Sequence, residues 1–385
     1  MMINNKYNYL KRVLILAVFI LVSINGYSQD TQSTTTITIS AVGDLMCHST
    51  QFKFAETGVD TFNFNPVYRI VKNYLSSSDF TFGNLETVTA GKDKKYSGYP
   101  LFNTPDEYVT ALKNAGFDLL STANNHALDR GEYGVLRTIK ILNENGINSN
   151  GTFISQRDRD SLRIFDIKGI RVAFLAYSYG TNGNVVPKDK PYLINKIDFN
   201  SIQNDIRKAR MEKVDIVLVH FHFGTEYKRE PDKYQKSVVD STIKYGADII
   251  IGGHPHVIEP MKMYKTNDGS LDSGLVAYSL GNFFSNQRWR YSDAGVILNI
   301  SITKDFSSGK VYLSKVDYVP TWLFKGVVDN KREYVIIPSQ YYMLNSIYSY
   351  LTKTDFKKMF QAFQDTREIL EKYLLKLPYI FKSIN

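Results

Sequence analysis

The sequence predicts an α/β fold, because short apolar segments alternate with longer segments of helical periodicity. The apolar segments are rich in Ile, Val, Leu and Phe and are bounded by turn residues, which is typical of buried parallel strands. We expect these strands at Thr36–Val42, Asp79–Phe82, Phe117–Thr122, Arg171–Tyr177, Asp215–Phe221 and Asp248–Ile251. The alternation of such strands with helices indicates a layered domain rather than a helical bundle or an all-β sandwich.

The predicted helices have recognisable ends. The first begins at Thr104–Glu107, where a capping residue precedes a proline at the first helical position and an acidic residue follows. It ends at Gly116, and the helices predicted over 132–145 and 233–245 also end directly before a glycine. A last helix, predicted over about 354–381, is basic and amphipathic. Its apolar stripe either packs on the domain or contacts a membrane surface or partner.

Later segments make the sheet system mixed. Turns separate Leu275–Leu280, Gly295–Thr303 and Lys310–Val319, which is typical of antiparallel strands. Lys168-Gly169 similarly joins the strand predicted at Leu162–Ile167 to the strand that follows it.

The N-terminus has the features of a secretory signal peptide. Lys6, Lys11 and Arg12 precede Val13–Ile24, which is almost wholly apolar and too short to span a bilayer comfortably. We therefore expect an exported protein of the periplasm or cell envelope, with an uncleaved membrane anchor as the alternative. The predicted organisation is a signal peptide at 1–28, a linker at 29–35, one domain at 36–325 and a mainly helical C-terminal extension at 326–385.

Composition narrows the class of protein and its partners. With 43% hydrophobic residues and only Cys47 as a thiol, the chain can bury a large core and has no intramolecular disulfide. The formal net charge of +9 falls to +6 when the three basic residues of segment 1–28 are removed. This mild excess either marks an ordinary solvated surface, which we favour, or attracts anionic polymers or envelope surfaces. No basic block is interleaved with aromatic residues, so we expect no nucleic-acid partner.

Histidine is confined to the ends of predicted strands. The six histidines are His48, His126, His220, His222, His254 and His256. The carboxyl ends of parallel strands meet at one edge of an α/β sheet, where such proteins bind ligands. Histidines placed only for packing would not be expected to gather there.

Oxygen donors follow the first strands at the same kind of position. Asp44 follows the first strand, where it is either a metal ligand or a turn aspartate that caps its own backbone. Asn84 and Glu86 follow the second strand and share a face, because they are two residues apart in an extended segment. Asn125 and His126 follow the third strand. Asp129 comes three residues later and either orients His126 or caps the turn.

Two His-x-His pairs follow the later strands. His220 and His222 share one face, and His254 and His256 flank a proline that we expect to keep His254 extended. Such a pair provides two imidazole ligands for a divalent ion. The donors are nitrogen and oxygen without a thiolate cluster, so the sequence predicts one or two ions of Mn, Fe or Zn. Two such ions would hold an attacking hydroxide and a phosphoryl or tetrahedral oxygen, and a non-ligating His126 would protonate the leaving group.

Six motifs of the chain occur in a characteristic order and spacing. They are Gly43–Met46, Gly83–Glu86, Ala123–Asp129, His222–Tyr227, Gly253–Val257 and Tyr278–Phe283. Together, over roughly residues 36–300, they resemble the bacterial capsule synthesis CapA family, also called poly-γ-glutamate biosynthesis proteins. That family resembles calcineurin-like metallophosphoesterases, so the resemblance implies an αββα sandwich with mixed sheets and a two-metal site.

The resemblance also implies roles for individual residues. The implied ligands are Asp44, Asn125, His222, His254 and His256, and His126 is the implied acid. Two positions depart from the metallophosphoesterase pattern. Met46 stands where a histidine is usual, and Asn84 stands where an aspartate is usual, with Glu86 as the nearest carboxylate. His48 is the nearest histidine that could substitute at the first position.

Two functions are therefore expected. The first is a metal-dependent hydrolase or transferase that acts on a phosphoester or on an amide in an anionic polymer. The second is a non-catalytic factor for polymer assembly or export, working with an envelope biosynthesis complex or at a membrane surface. The retained His126 favours the enzyme, whereas Met46 favours the assembly factor.

Overall fold

The computed structural model describes residues 33–266, 270–343 and 348–374. The predicted signal peptide, linker residues 29–32 and residues 375–381 of the last predicted helix lie outside the described residues. Within the described ranges, none of the helices combines the length and the apolar character needed to cross a membrane.

The strands and helices follow each other along the chain in an alternating pattern. The strands are β1 (Thr34–Leu45), β2 (Glu56–Gly58), β3 (Thr61–Phe62), β4 (Phe80–Leu85), β5 (Leu119–Ser121), β6 (Asn148–Asn150), β7 (Arg163–Ile167), β8 (Ile170–Ser178), β9 (Ile216–His222), β10 (Ile249–Gly253), β11 (Met261–Lys265), β12 (Ser273–Ala277), β13 (Asn282–Phe284), β14 (Ala294–Asp305), β15 (Val311–Val328) and β16 (Lys331–Pro338). The α-helices are α1 (Ser49–Ala55), α2 (Asn65–Tyr68), α3 (Lys72–Ser76), α4 (Glu107–Ala115), α5 (Gly131–Glu144), α6 (Gln156–Asp160), α7 (Phe199–Met211), α8 (Lys233–Lys244) and α9 (Lys353–Leu374).

Two large sheets form the centre of the molecule. The first has the strand order β16-β15-β14-β1-β4-β5-β6, with β13 paired to β1, and the second has the order β11-β12-β10-β9-β8-β7. Strands β1, β4, β5 and β6 run parallel, as do β8, β9, β10 and β12.

The prediction for Leu275–Leu280 was only half right. Its strand β12 pairs antiparallel with β11 but parallel with β10, so it extends the parallel part of the second sheet.

The two sheets pack face to face, and helices cover their outer faces. Ile37 and Ile39 of β1 point into the core between the sheets, where Phe82 meets Phe174 of the second sheet at a ring distance of 4.8 Å. Val42 points the other way, into the apolar layer beneath α1 to α4. Helices α7 and α8 cover the second sheet in the same manner. The predicted αββα sandwich is therefore confirmed, and burial on both faces explains why its central strands are continuously apolar.

The predicted boundary at residue 325 lies within a strand of the first sheet. It falls inside β15, which continues to Val328 and pairs with β16, so residues 326–338 complete the edge of the first sheet. The apolar pattern of the sequence ends near the solvent-exposed turn between β15 and β16. The hydrogen bonds between these two strands continue up to that turn. The last helix, α9, packs on the domain with Met359, Ile369 and Leu370 in the main core, as one of the two alternatives predicted.

Candidate metal centre

The predicted site residues meet at one end of the sandwich. The first sheet contributes residues at or just after the ends of β1, β4 and β5, and the second contributes the end of β9 and the segment after β10. These residues are Asp44, Asn84, Glu86, Asn125, His126, Asp129, His222, His254 and His256, all of them buried. The sequence analysis expected one rim of a sheet, whereas the rim is shared by two packed sheets.

Asp44 joins the two sheets at the centre of the cluster. Its Oδ1 accepts a hydrogen bond from Asn84 Nδ2 at 2.8 Å, and its Oδ2 accepts from the backbone N–H of His254 at 3.1 Å. His256 Nδ1 lies 3.1 Å from the same Oδ2. Burial acts to raise the pKa of Asp44, but the hydrogen bonds from His256, Asn84 and His254 hold it below its ordinary value. Asp44 is therefore an ionised acceptor and does not cap its own turn.

Glu86 is a buried carboxylate with an unsatisfied oxygen. Its Oε1 lies 3.5 Å from His222 Nε2 and 3.8 Å from His256 Nε2, yet it has no hydrogen-bond partner. Burial, together with the negative charge of Asp44, raises the pKa of Glu86 well above its ordinary value. A buried carboxyl oxygen without a partner is costly unless a cation is bound beside it.

His254 shows the same unsatisfied state on the imidazole side. Its Nδ1 is buried and has no hydrogen-bond partner. Burial lowers the pKa of His254 to about 3, with the neighbouring His256 contributing, so the ring is neutral, as metal ligation requires. Burial also lowers the pKa of His222 well below its ordinary value.

Two overlapping groups of donors have the spacing of a metal site. The potential ligand atoms of Glu86, His254 and His256 all lie within 4.8 Å of one another, and so do those of Asp44, Glu86 and His222. Glu86 belongs to both groups. The unsatisfied buried atoms and the mixed nitrogen and oxygen donors fit a divalent ion, and the donor chemistry is compatible with Mn, Fe or Zn. Which ion binds, and which residues bind it, stay predictions.

The amides surround His222. Asn125 Oδ1 lies 2.8 Å from His222 Nε2, so the two predicted ligand atoms face each other. Asn84 Nδ2 lies 3.1 Å from His222 Nδ1, and Asn84 Oδ1 accepts a hydrogen bond from Asn124 Nδ2. In this orientation Asn84 holds Asp44 and His222 in place rather than offering its oxygen to an ion.

His126 and Asp129 form a hydrogen-bonded pair beside the cluster. His126 Nδ1 lies 2.7 Å from Asp129 Oδ2, which also accepts from the backbone N–H of Phe102 at 2.7 Å. Because a carboxylate only accepts, the ring proton is on Nδ1 and Nε2 is left facing outward. Asp129 therefore orients His126, which was one of its two predicted roles.

The segment after β10 is conformationally strained. We expected an extended His254, but its φ is 98°, and His256 also has a positive φ of 59°. Such conformations cost on the order of 1–3 kcal/mol for residues other than glycine, and they persist where the surroundings impose them. Here the turn brings the His254 N–H to Asp44. A Cβ at Gly253 would lie 2.6 Å from Asp44 Oδ1, so glycine is required there.

Comparisons with known proteins identify the family. Residues 38–287 match the family described as bacterial capsule synthesis protein PGA_cap. The chain belongs to this family. It is 32% identical over 270 residues to capsule biosynthesis protein CapA of Bacillus anthracis, covering 68% of this chain and 63% of that protein. The chain thus spans less than two thirds of that relative's length. It is 28% identical over 298 residues to PGA biosynthesis protein CapA of Bacillus subtilis (strain 168), covering 76% and 73%.

Solved structures show a more distant likeness. A phosphatase from Mycoplasma pneumoniae matches with a TM-score of 0.44 and 16% identity, covering 74% of this chain and 94% of that one. At this level of similarity the likeness bears on neither activity nor substrate. The resemblance to the capsule synthesis family predicted from the six motifs is confirmed.

Besides His126, two further histidines lie outside the donor groups. His220 Nδ1 contacts Ser121 Oγ at 2.9 Å within the body of β9, so it is a structural neighbour of the site. His48 precedes α1, and its Nδ1 accepts a hydrogen bond from the backbone N–H of Asn286 at 3.2 Å. His48 belongs to neither donor group, so it does not take the place of the histidine that is usual at position 46.

Cys47 and Met46 are packing residues. Cys47 is buried in the apolar layer on the outer face of the first sheet, and burial raises the pKa of its thiol. Met46 is also buried, and its sulfur accepts a hydrogen bond from Ser285 Oγ at 3.6 Å.

The sequence analysis missed a turn that closes over His126. In Thr181–Asn184, the central Asn182 and Gly183 both have positive φ, as in a type I′ turn. Asn182 Nδ2 lies 3.4 Å from His126 Nε2, and Asn182 Oδ1 accepts from Asn125 Nδ2 at 3.2 Å. The turn directly follows β8, so the rule applied to the other parallel strands could have found it.

Asn282 was also missed. It lies in the last motif quoted for the family resemblance but was given no role. Its Oδ1 lies 3.1 Å from His256 Nδ1, beside Asp44, and β13 is paired with β1 at this residue. Two acceptors around Nδ1 place the proton there and leave His256 Nε2 turned toward Glu86.

Proposed function

We propose that this chain is an exported protein of capsule polymer biosynthesis that carries a metal-dependent hydrolase or transferase site. Membership of the capsule synthesis family supports the biological setting, and the names of the Bacillus relatives support a PGA-type polymer. The basic and apolar N-terminal segment supports export. The proposed substrate is poly-γ-glutamate or a phosphoester linked to its synthesis.

The observation that carries the catalytic proposal is the His126–Asp129 pair beside the donor cluster. Asp44, Glu86, Asn125, His222, His254 and His256 would hold the ion. A bound divalent ion would supply an activated water and would stabilise negative charge on the group under attack. A purely structural metal site would not require a histidine oriented by a carboxylate next to it.

His126 would act on the leaving group. Its Nδ1 is held by Asp129 at 2.7 Å, so a proton carried on Nε2 gives an imidazolium that the carboxylate stabilises. Transfer of that proton to a leaving oxygen or nitrogen is ordinary general acid catalysis. Asn182 contacts Nε2 in the structure, so we expect the substrate to displace its amide.

A non-catalytic assembly or export factor is the second candidate. It is favoured by Met46, which is buried where a metal-binding histidine is usual, while His48 is held by Asn286. One imidazole fewer would weaken a second ion in the centre.

The test begins with the metal content of the purified full chain, measured by elemental analysis. Turnover is then assayed with added Mn²⁺ on a phosphoester and on poly-γ-glutamate. Bound metal with turnover that is lost in His126→Ala supports the enzyme. Bound metal without turnover on either substrate favours the assembly factor.

A further inference from the structure

A cavity of about 670 Å³ lies apart from the donor cluster. It is bounded by α1, by the segment that follows α1 and by the edge strand β16. None of the predicted metal ligands lines it. Its polar and charged lining residues include Lys53, Glu56, Lys331, Arg332 and Glu333.

The charge of this cavity is unbalanced toward the positive. Glu333 is already paired, because its Oε2 lies 2.6 Å from Arg69 Nη1. Lys53, Lys331 and Arg332 have no ion-pair partner among the residues that the structure describes, and Glu56 is the one further acidic residue of the lining. Three cations that face one cavity with little compensation attract an anion.

An aromatic ring orients one of these cations. The Arg332 guanidinium lies 5.9 Å from the centre of the Phe54 ring. A guanidinium over an aromatic face keeps its N–H groups free at the edge. That geometry suits bidentate binding of a carboxylate.

Hydrogen bonds connect the cavity with His48. Gln51 lines the cavity, its Nε2 is buried without a partner, and its Oε1 accepts from the His48 backbone N–H at 2.7 Å. On the other side of His48, Asn286 donates its backbone N–H to the ring, and its Oδ1 accepts from Tyr334 OH at 2.5 Å.

Aromatic packing continues this connection. The Phe102 ring stands between His48 and His126, with centroid distances of 5.2 and 4.7 Å. An occupant of the cavity therefore touches the same framework that holds the catalytic histidine.

We propose that this cavity is an anion-binding site that holds a carboxylate-rich stretch of the polymer while another stretch reaches the metal centre. The identity of the polymer rests on the proposed function, whereas the preference for an anion rests on the lining of the cavity alone. A long substrate held at two places is retained between reaction steps, because binding at the second place becomes intramolecular.

The experiment is a calorimetric titration of the purified full chain with a synthetic γ-glutamate oligomer at low salt. Arg332→Ala and the double variant Lys331→Ala/Arg332→Ala should bind about tenfold or more weakly, since one charge-assisted contact is worth on the order of 1.4 kcal/mol. Both side chains are exposed, so folding should be unaffected. The matched control is Lys208→Ala, an exposed cation on α7 outside the cavity, which should bind like wild type.

The outcomes separate this inference from the proposed function. If the cavity variants bind like wild type while His254→Ala loses binding, the polymer is held at the metal centre alone and the inference is overturned. If inorganic phosphate displaces the oligomer at equal concentration, the cavity is a phosphate site and the ligand class is wrong. If neither wild type nor any variant binds the oligomer, both the inference and the proposed polymer substrate are wrong.

Discussion

The two sheets contribute different chemistry to the same site. The first supplies the oxygen donors and a hydrogen-bonded histidine–carboxylate pair, which are Asp44, Glu86, Asn125, His126 and Asp129. The second supplies the imidazoles His222, His254 and His256. Neither sheet alone presents both oxygen and imidazole donors in this number. The mixed donor cluster forms because the sheets pack with the carboxyl ends of their parallel strands at the same end of the sandwich.

Burial acts in opposite directions on the two halves. On the first sheet it raises the pKa of Glu86, whereas on the second it lowers the pKa of His254 to about 3. Both shifts remove charge from the protein in the absence of a ligand, because burial penalises whichever form is charged. A divalent ion reverses this penalty for the carboxylate and uses the neutral imidazole directly, so both halves suit a cation.

The largest effect is expected from Asp44, which touches both sheets. Asp44→Ala should abolish metal binding and lower the free energy of unfolding by about 3 kcal/mol, because buried donors of Asn84, His254 and His256 lose their acceptor. Metal content and urea unfolding measure the two effects. Asp44→Asn keeps the shape but not the charge, so it should lose metal with a smaller loss of stability. Full metal content in Asp44→Ala would show that Asp44 is not needed to assemble the donors of the two sheets into one metal site.

The next effect tests the imidazole half by itself. His222→Ala and His254→Ala should each lose most of the bound metal in elemental analysis, because each removes a neutral nitrogen donor from a donor group. His220→Ala is the matched control, since His220 is a buried histidine on the same strand as His222, belongs to neither donor group and hydrogen-bonds Ser121. Unchanged metal content in both ligand variants would refute the centre.

The acid–base pair belongs to the first sheet but should not bind metal. His126→Ala should retain metal and fold, and its kcat should fall by about 10²–10⁴, the usual contribution of general acid catalysis. Asp129→Asn should lower kcat in the same direction, because Asn cannot stabilise the imidazolium equally well. Both variants are compared by single-substrate kinetics and elemental analysis. Loss of metal in His126→Ala would make His126 a ligand.

The last effect concerns the pH dependence of stability near the second sheet. Glu259 lies three residues after His256, accepts a hydrogen bond from Gln235 Nε2 at 2.6 Å and leaves Oε1 without a partner. Burial raises the pKa of Glu259 from 4.5 to about 8, against the effect of the Gln235 hydrogen bond. The folded protein thus keeps a proton that the unfolded chain releases. Stability should therefore be greatest below the unfolded pKa and should fall as pH rises toward 8.

Glu259→Gln tests this sign. In this variant the free energy of unfolding should not decrease with pH in the way it does in wild type. The wild-type slope should approach about 1.4 kcal/mol per pH unit between the unfolded pKa of Glu259 and pH 8. Urea unfolding at several pH values measures the difference between the two proteins. A difference that stays constant with pH would mean that Glu259 is already ionised in the folded state.

Most of the strands could be predicted because strands buried on both faces are continuously apolar in the sequence. The continuous apolar segments 36–42 and 215–221 match β1 and β9 closely, and the glycines after 132–145 and 233–245 mark the ends of α5 and α8 to within two residues. The prediction was weaker where a strand continues beyond its apolar residues or where its pairing cannot be inferred from them. Strand β15 continues past residue 325 as an exposed hairpin, and β12 pairs with one parallel and one antiparallel neighbour.

The sequence alone predicted which polar residues gather at one end of the sandwich, because polar donors directly after buried strands are costly unless they are used. That reasoning reached Asp44, Glu86, His222 and His254 from four separate strands. Only the tertiary structure decided that these strands belong to two sheets, that His254 adopts a positive φ to reach Asp44, and that Asn182 and Asn282 join the site. The physical reason is that a periodic pattern records whether a residue is buried. It does not record which distant backbone lies against it, and that choice is made by the packing of one sheet on the other.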